Sequence, residues 1–179
     1  MNCDTCPLRL YSKKLTNVEG VGNALSGRAI IVPKVDYDAY VAGCMSSSKY
    51  VKALEEILPT GDLLSNIYVI PAIGCYLTPN AIVTEASSIQ CTNRLKEIII
   101  NYGIKDVMIT GSLVRQFFNV NIKDYLNTII LHKNVRYFVN YNPDISYIRP
   151  EMFESFKDAF TKFYYSSLRK YYDYDLKVI

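Results

Sequence analysis

The 179-residue sequence predicts a three-layer α/β/α domain on a mostly parallel sheet. Three observations carry that reading: short apolar runs alternate with longer one-faced stretches, Gly and Pro punctuate the junctions, and no spacer is long enough to divide the chain. Half of the residues are hydrophobic. At this length that is enough to bury one core, so a single domain over residues 1–179 is expected.

Arg28 to Val32 is a β-branched run between Ser26-Gly27 and Pro33, which predicts a buried strand. Ser46 to Leu58 places Tyr50, Val51, Leu54, Ile57 and Leu58 on one face of a helix that Pro59 and Gly61 end. Ile67 to Ile70 is the next strand, and an irregular stretch through Cys75 and Pro79 follows it. The Thr84 hydroxyl then caps a helix that carries Cys91, Leu95, Ile98, Ile99 and Tyr102 and closes at Gly103. Asp106 to Thr110 is the third strand, and after Gly111-Ser112 a short helix runs through Phe117-Phe118. Thr128 to Leu131 and Val135 to Asn140 read as two strands joined at His132-Lys133-Asn134. Pro150 to Tyr172 reads as one long amphipathic helix packing through Phe153, Phe156, Phe160, Phe163 and Tyr164.

A net charge of +3 permits contact with a polyanion without requiring it. No apolar run reaches the roughly 18 residues a membrane span needs. Asp4 and Pro7 stand where a leader would be basic and apolar. A soluble, intracellular, cytoplasmic protein with no membrane partner is therefore expected, in a compartment where thiols stay reduced.

The cysteines are the most specific feature. Four of the five fall as Cys3-x-x-Cys6 and as Cys75 and Cys91, with fifteen residues between the last two. A zinc site of four cysteines usually draws on two tight knuckles, so the loose second pair favours a [4Fe-4S] cluster on Cys3, Cys6, Cys75 and Cys91, with Zn as runner-up. The competing reading is four ordinary buried thiols. Cys44 fits no ligand spacing and is read as structural or incidental.

In open α/β sheets ligands sit beyond the carboxyl ends of the strands. Four loops qualify: Pro33 to Tyr40, Pro71 to Cys75, Gly111-Ser112, and Tyr141 to Tyr147. Asp36 is able to orient a water or a cation, the alternative being a solvated acidic loop. The backbone N–H groups at Gly111-Ser112 suit a phosphate, or only water. Asn140-Tyr141-Asn142-Pro143-Asp144 joins amides to an aromatic able to stack on a base, or is simply an Asn-Pro turn. His132, the single histidine, falls in a hairpin turn away from these loops, and no Ser-His-Asp or Cys-His pairing forms around it.

Taken together, several segments share one likeness: Cys3-Asp4-Thr5-Cys6-Pro7-Leu8, Gly20-Val21-Gly22-Asn23, Ala29-Ile30-Ile31-Val32, and Ile67-Tyr68-Val69-Ile70 leading to Cys75. The fifteen-residue step to Cys91 and Ile109-Thr110-Gly111-Ser112 with Phe117-Phe118 extend it. The chain resembles the iron-sulfur uracil-DNA glycosylases of the family 4 type from Cys3 to the final helix. The resemblance implies a four-stranded parallel sheet flanked by helices, a [4Fe-4S] cluster on the four cysteines, and a groove that binds DNA and accepts a flipped base.

The pocket motifs depart from that pattern. Where the family has a Gly-Glu-x-Pro-Gly loop, this chain reads Pro33-Lys34-Val35-Asp36-Tyr37, which puts Lys34 at the position of the water-activating acid. A Gly-x-Pro-Phe segment with its stacking aromatic corresponds to Gly43-Cys44-Met45-Ser46. The asparagine that reads the uracil edge is replaced by Pro71, and the His-Pro motif by Asn142-Pro143. A pocket without its hydrogen-bonding side chains loses base discrimination by orders of magnitude. The expectation is a DNA-binding protein of replication or repair, with uracil excision lost or altered and a replication or repair protein as a further partner. In the alternative, an active glycosylase cuts uracil or another modified base, with Asp36 orienting water, Asn142 holding the base or its anion, and Tyr141 or Tyr37 stacking. Lys34, Ser46, Pro71 and Ser112 complete the candidate pocket and DNA contacts.

Overall fold

The computed structural model describes residues 3–12, 18–58, 61–165 and 175–178. Its strands and longer helices are, in chain order, β1 (Val21–Gly22), β2 (Arg28–Lys34), α1 (Tyr37–Ala42), α2 (Lys49–Glu55), α3 (Leu63–Asn66) and β3 (Tyr68–Ile73). They continue with α4 (Glu85–Asn101), β4 (Asp106–Thr110), α5 (Leu113–Phe118), β5 (Thr128–His132), β6 (Val135–Asn140), α6 (Ile145–Ile148), α7 (Phe153–Tyr165) and β7 (Asp175–Val178).

Among the described residues the strands form one mixed, mostly parallel sheet of seven, in the order β1-β3-β2-β4-β6-β5-β7. It is larger than the four strands expected. β3, β2, β4 and β6 form a contiguous parallel block, while β1 and β5 join it antiparallel and β7 pairs parallel to β5.

The apolar pattern explains the layering. Ala29, Ile30, Ile31 and Val32 of β2 are all fully buried, as a strand covered on both faces requires. Because successive side chains alternate, Ile30 and Val32 join Val51, Leu54, Phe156 and Phe160 in one core, while Ala29 and Ile31 join Leu95, Ile99 and Val114 in the other. Helices α1, α2 and α7 thus cover one face, and α4 and α5 the opposite one. Asn140 and Arg28 fasten α7 to the sheet by donating to the carbonyls of Phe156 (3.3 Å) and Tyr164 (2.9 Å).

Several boundaries differ from the sequence expectation. β2 continues through Pro33 to Lys34 because its pairing with β4 ends at Ile31, so the missing N–H of Pro33 costs no ladder bond there. β3 runs on to Ile73, and Pro71, expected to open a loop, is buried opposite Val32. The strand β1 and the helices α1 and α3 were not anticipated, nor was β7. The final helix begins at Phe153 after a 3₁₀ turn over Pro150–Met152. Its expected last turns, with the stop signal Pro59 of the earlier helix, lie outside the described residues. α4 matches its expected start: Thr84 and Ser87 form a reciprocal capping box.

The second helix begins at Lys49 instead of Ser46, and one side chain explains both this and α1. Asp36 Oδ1 accepts from the Ala39 N–H at 3.0 Å, while its Oδ2 accepts from the Ser48 hydroxyl and the Lys49 N–H (3.0 Å). Ser48 in turn accepts from the Tyr50 N–H at 3.1 Å. Gly43, at φ +69°, closes α1. One buried carboxylate therefore caps two helices. Replacing it by alanine orphans a buried hydroxyl and two amides. Asp36→Ala is expected to lower stability by about 3 kcal/mol, from two lost caps and their desolvated donors. The midpoint of urea unfolding measures it, and a shift worth less than about 1 kcal/mol contradicts the assignment.

Candidate functional site

The four predicted ligand cysteines come from three places that Leu8 draws together. Cys3 opens the short 3₁₀ turn Cys3–Thr5 and Cys6 is the N-cap of the next, Pro7–Tyr11, their register fixed by Cys6 N–H to the Cys3 carbonyl (3.2 Å) and Arg9 N–H to the Cys6 carbonyl (3.0 Å). Cys75 follows the end of β3, and Cys91 sits in the second turn of α4. Leu8, 1% exposed, packs with Ile73, Leu77 and Cys91 in a small separate core, against which Cys6 and Cys75 also lie. A bridge between Ser12 and Leu77 and the bond from Thr78 N–H to the Tyr11 carbonyl (2.8 Å) stitch the N-terminal turns to the β3–α4 segment.

The thiols feel one another. Burial pushes Cys75 up to about 11, a hydrogen bond with Ser12 opposes this, and the charges of Cys91, Cys6 and Cys3 add to it. Burial also raises Cys91, against the pull of the Arg94 guanidinium and of a backbone hydrogen bond from Gly74. Among the described residues, no three His, Cys, Asp or Glu side chains form a group ready to hold a single ion. Cys44 stands apart on the surface, its thiol lowered by hydrogen bonds with Ser46.

The strand ends form a second locus. Asp36 is engaged in helix capping through both oxygens, as described above. Tyr37 is 58% exposed and meets Tyr76 edge-on at 5.9 Å, and Tyr40 stacks on Tyr76 at 4.8 Å. Lys34, Ser46 and Ser112 are exposed, the last without a capping bond to the short α5. Pro71 lies inside β3, with only its carbonyl available for polar contact. Tyr141 is half-buried against the same core as Tyr40 and Tyr76.

Asn142 fills the space above Gly111, whose φ is +60° and where an added Cβ would stand 2.4 Å from Asn142 Oδ1. That oxygen is buried without a partner, and so is Asp144 Oδ1 two residues on. Asp144 Oδ2 is 3.6 Å from Lys49 Nζ, and the Lys49 amide is bonded to Asp36. Lys49 therefore links the Asp36 network to the Asn142 loop. Both Asp144 and Asp36 also act on Tyr50, whose phenol is raised mainly by burial. Sequence reasoning missed Lys49, Tyr40, Tyr76 and the role of Asp144. Tyr76 and Asp144 had a linear signal in their proximity to Cys75 and to the Asn-Pro turn, and Tyr40 in closing the Pro33 to Tyr40 loop; Lys49 had none.

His132 lies at the opposite end of the sheet; expected in the hairpin turn, it is instead the last residue of β5, paired with Val135 across the two-residue turn where Lys133 and Asn134 take φ of +49° and +62°. Its ring meets Phe118 edge-on at 5.8 Å. Among the described residues no helix is long and apolar enough to cross a membrane. In comparisons with protein-family models and with curated proteins, nothing matches this chain.

The cysteine corner depends on one apolar plug. Leu8→Ala is expected to cost about 2–5 kcal/mol as a buried leucine truncation and to release the N-terminal turns from α4. The alkylation rate of Cys91 measures the release, and is expected to rise at least about tenfold because the thiol gains access to reagent. An unchanged rate in Leu8→Ala contradicts this account of the corner.

Proposed function

We propose that this chain is a uracil-DNA glycosylase-like, DNA-binding protein that carries a [4Fe-4S] cluster on Cys3, Cys6, Cys75 and Cys91 and has lost or altered uracil excision. Its place is in DNA replication or repair, in the cytoplasm, with a replication or repair protein as a further partner. The observation that carries the reading is the convergence of two sequence-distant cysteine pairs on one corner of a parallel α/β sheet. The donor set fits the group: four soft sulfur donors from separated segments, with Cys91 buried and the buried Arg94 guanidinium one turn along the same helix. A bound cluster would supply covalent cross-links between the N-terminal turns and the β3–α4 segment. The four cysteines would hold it, and Leu8 packs in the same small core as Cys91, with Cys6 and Cys75 against it.

The second locus supports altered excision. An acid that activates water needs a free oxygen facing the base, and both oxygens of Asp36 accept hydrogen bonds from helix donors. Lys34, at the position of the water-activating acid, carries no carboxylate. Pro71 has no side-chain donor to pair with uracil and points its ring into the sheet core.

One observation favours a second reading, an active glycosylase for another modified base. The unpartnered Oδ1 atoms of Asn142 and Asp144 are buried acceptors, which a base carrying N–H groups would satisfy. In that reading Asn142 holds the base while Tyr37 or Tyr141 stacks on it.

Two measurements test these readings. The purified chain is expected to be brown and to contain iron and sulfide, and to bind single- or double-stranded DNA with an affinity that falls steeply as salt rises. Absence of DNA binding at low salt, with no protein captured on pull-down, removes the binding role. Oligonucleotides carrying uracil, hypoxanthine or hydroxymethyluracil, treated with alkali after incubation, separate the alternatives: the first reading expects no strand breaks at uracil, the second expects breaks at one of the modified bases.

A further inference from the structure

Arg94 lies one turn beyond Cys91 on α4, on the same face of the helix. It is 7% exposed. Its Nη2 donates to the carbonyls of Pro71 and Ala72, and its Nε is buried with no partner. No carboxylate among the described residues pairs with it. A buried guanidinium satisfied only by carbonyls carries a desolvation penalty that hydrogen bonds to neutral groups do not offset. The groups near enough to act on it electrostatically are Cys91, Cys3 and Cys75, along with the Tyr68 phenol.

We propose that Arg94 is the counter-charge of the cysteine-held centre: its guanidinium, fixed by the Pro71 and Ala72 carbonyls one helical turn from Cys91, would offset the net negative charge of the ligated cluster. The inference rests on the cluster reading above. A cubane held by four thiolates is a buried anion, and reduction adds a further electron to it. A fixed cation beside it therefore stabilises the bound state and favours the reduced form more than the oxidised one.

The test uses the full chain, reconstituted anaerobically with ferrous iron and sulfide, as wild type, Arg94→Gln and Arg94→Lys. Iron and sulfide content, the midpoint potential by spectroscopic titration, and the rate of iron loss to a chelator are measured for each. Arg94→Gln is expected to weaken reduction about tenfold, equivalent to about 59 mV for a one-electron couple, and to lose iron about tenfold faster. Arg94→Lys keeps the charge and is expected to stay within about threefold of wild type in both. If Arg94→Gln holds its cluster at the wild-type potential, Arg94 is only a structural brace and the inference fails while the cluster reading stands. If wild type takes up no iron and sulfide, the cluster reading fails and the inference with it. Should Arg94→Gln not fold, Arg94→Lys decides: a potential near that of wild type supports the charge role, and a tenfold change overturns it.

Discussion

The Asp36 carboxylate receives a hydroxyl and two amide hydrogens from two separate helices, and a buried anion with that many donors holds its surroundings in one arrangement. Its position fixes where α1 begins, where α2 begins and where Lys49 emerges. Lys49 then reaches Asp144, so the loop carrying Asn142 is oriented by the same centre. The aromatic group of Tyr37, Tyr40 and Tyr76 stands over this point because α1 starts one residue after the carboxylate. Ionisation here serves architecture, and catalytic work by Asp36 would have to break contacts that the two helices need.

The layering was legible in the sequence because β-branched runs buried on both faces leave an unambiguous pattern. Ala29 to Val32 and Asp106 to Thr110 are examples. Helix α4 was legible because its cap is local: Thr84 and Ser87 are three residues apart. What escaped notice depended on distant partners. Helix α1 has six residues and weak apolar periodicity, and it exists through a cap that also serves Ser48, twelve positions away. The extension of β3 past Pro71 needed knowledge that Lys34 pairs with Ile73. β1 has two residues, and β7 follows a segment that read as the continuation of a helix.

The candidate site divides in the same way. Cysteine spacing announced a corner, and the structure places Cys6, Cys75 and Cys91 at one small apolar core. Spacing did not announce Arg94, because a buried cation has no sequence signature apart from its surroundings. Lys49 and Asp144 were invisible for a similar reason: each looks like an ordinary surface charge until the loops are folded together. Conversely, Asp36 looked like a free acid in a loop and is instead engaged on every side.

The sheet's two margins differ in how they are finished. On one side β1 spans two residues, too short to template another chain. On the other, β5 is an apolar strand without proline, the sort of edge along which chains stack, and β7 covers it in parallel register from Thr128 to Leu131. Lys177 of β7 lies over the Tyr125 ring at 4.2 Å and donates to the Asp124 carbonyl, so the outermost strand is itself held by a charged residue. Residues 175–178 thus occupy a strand edge that would otherwise be open to pairing with another chain.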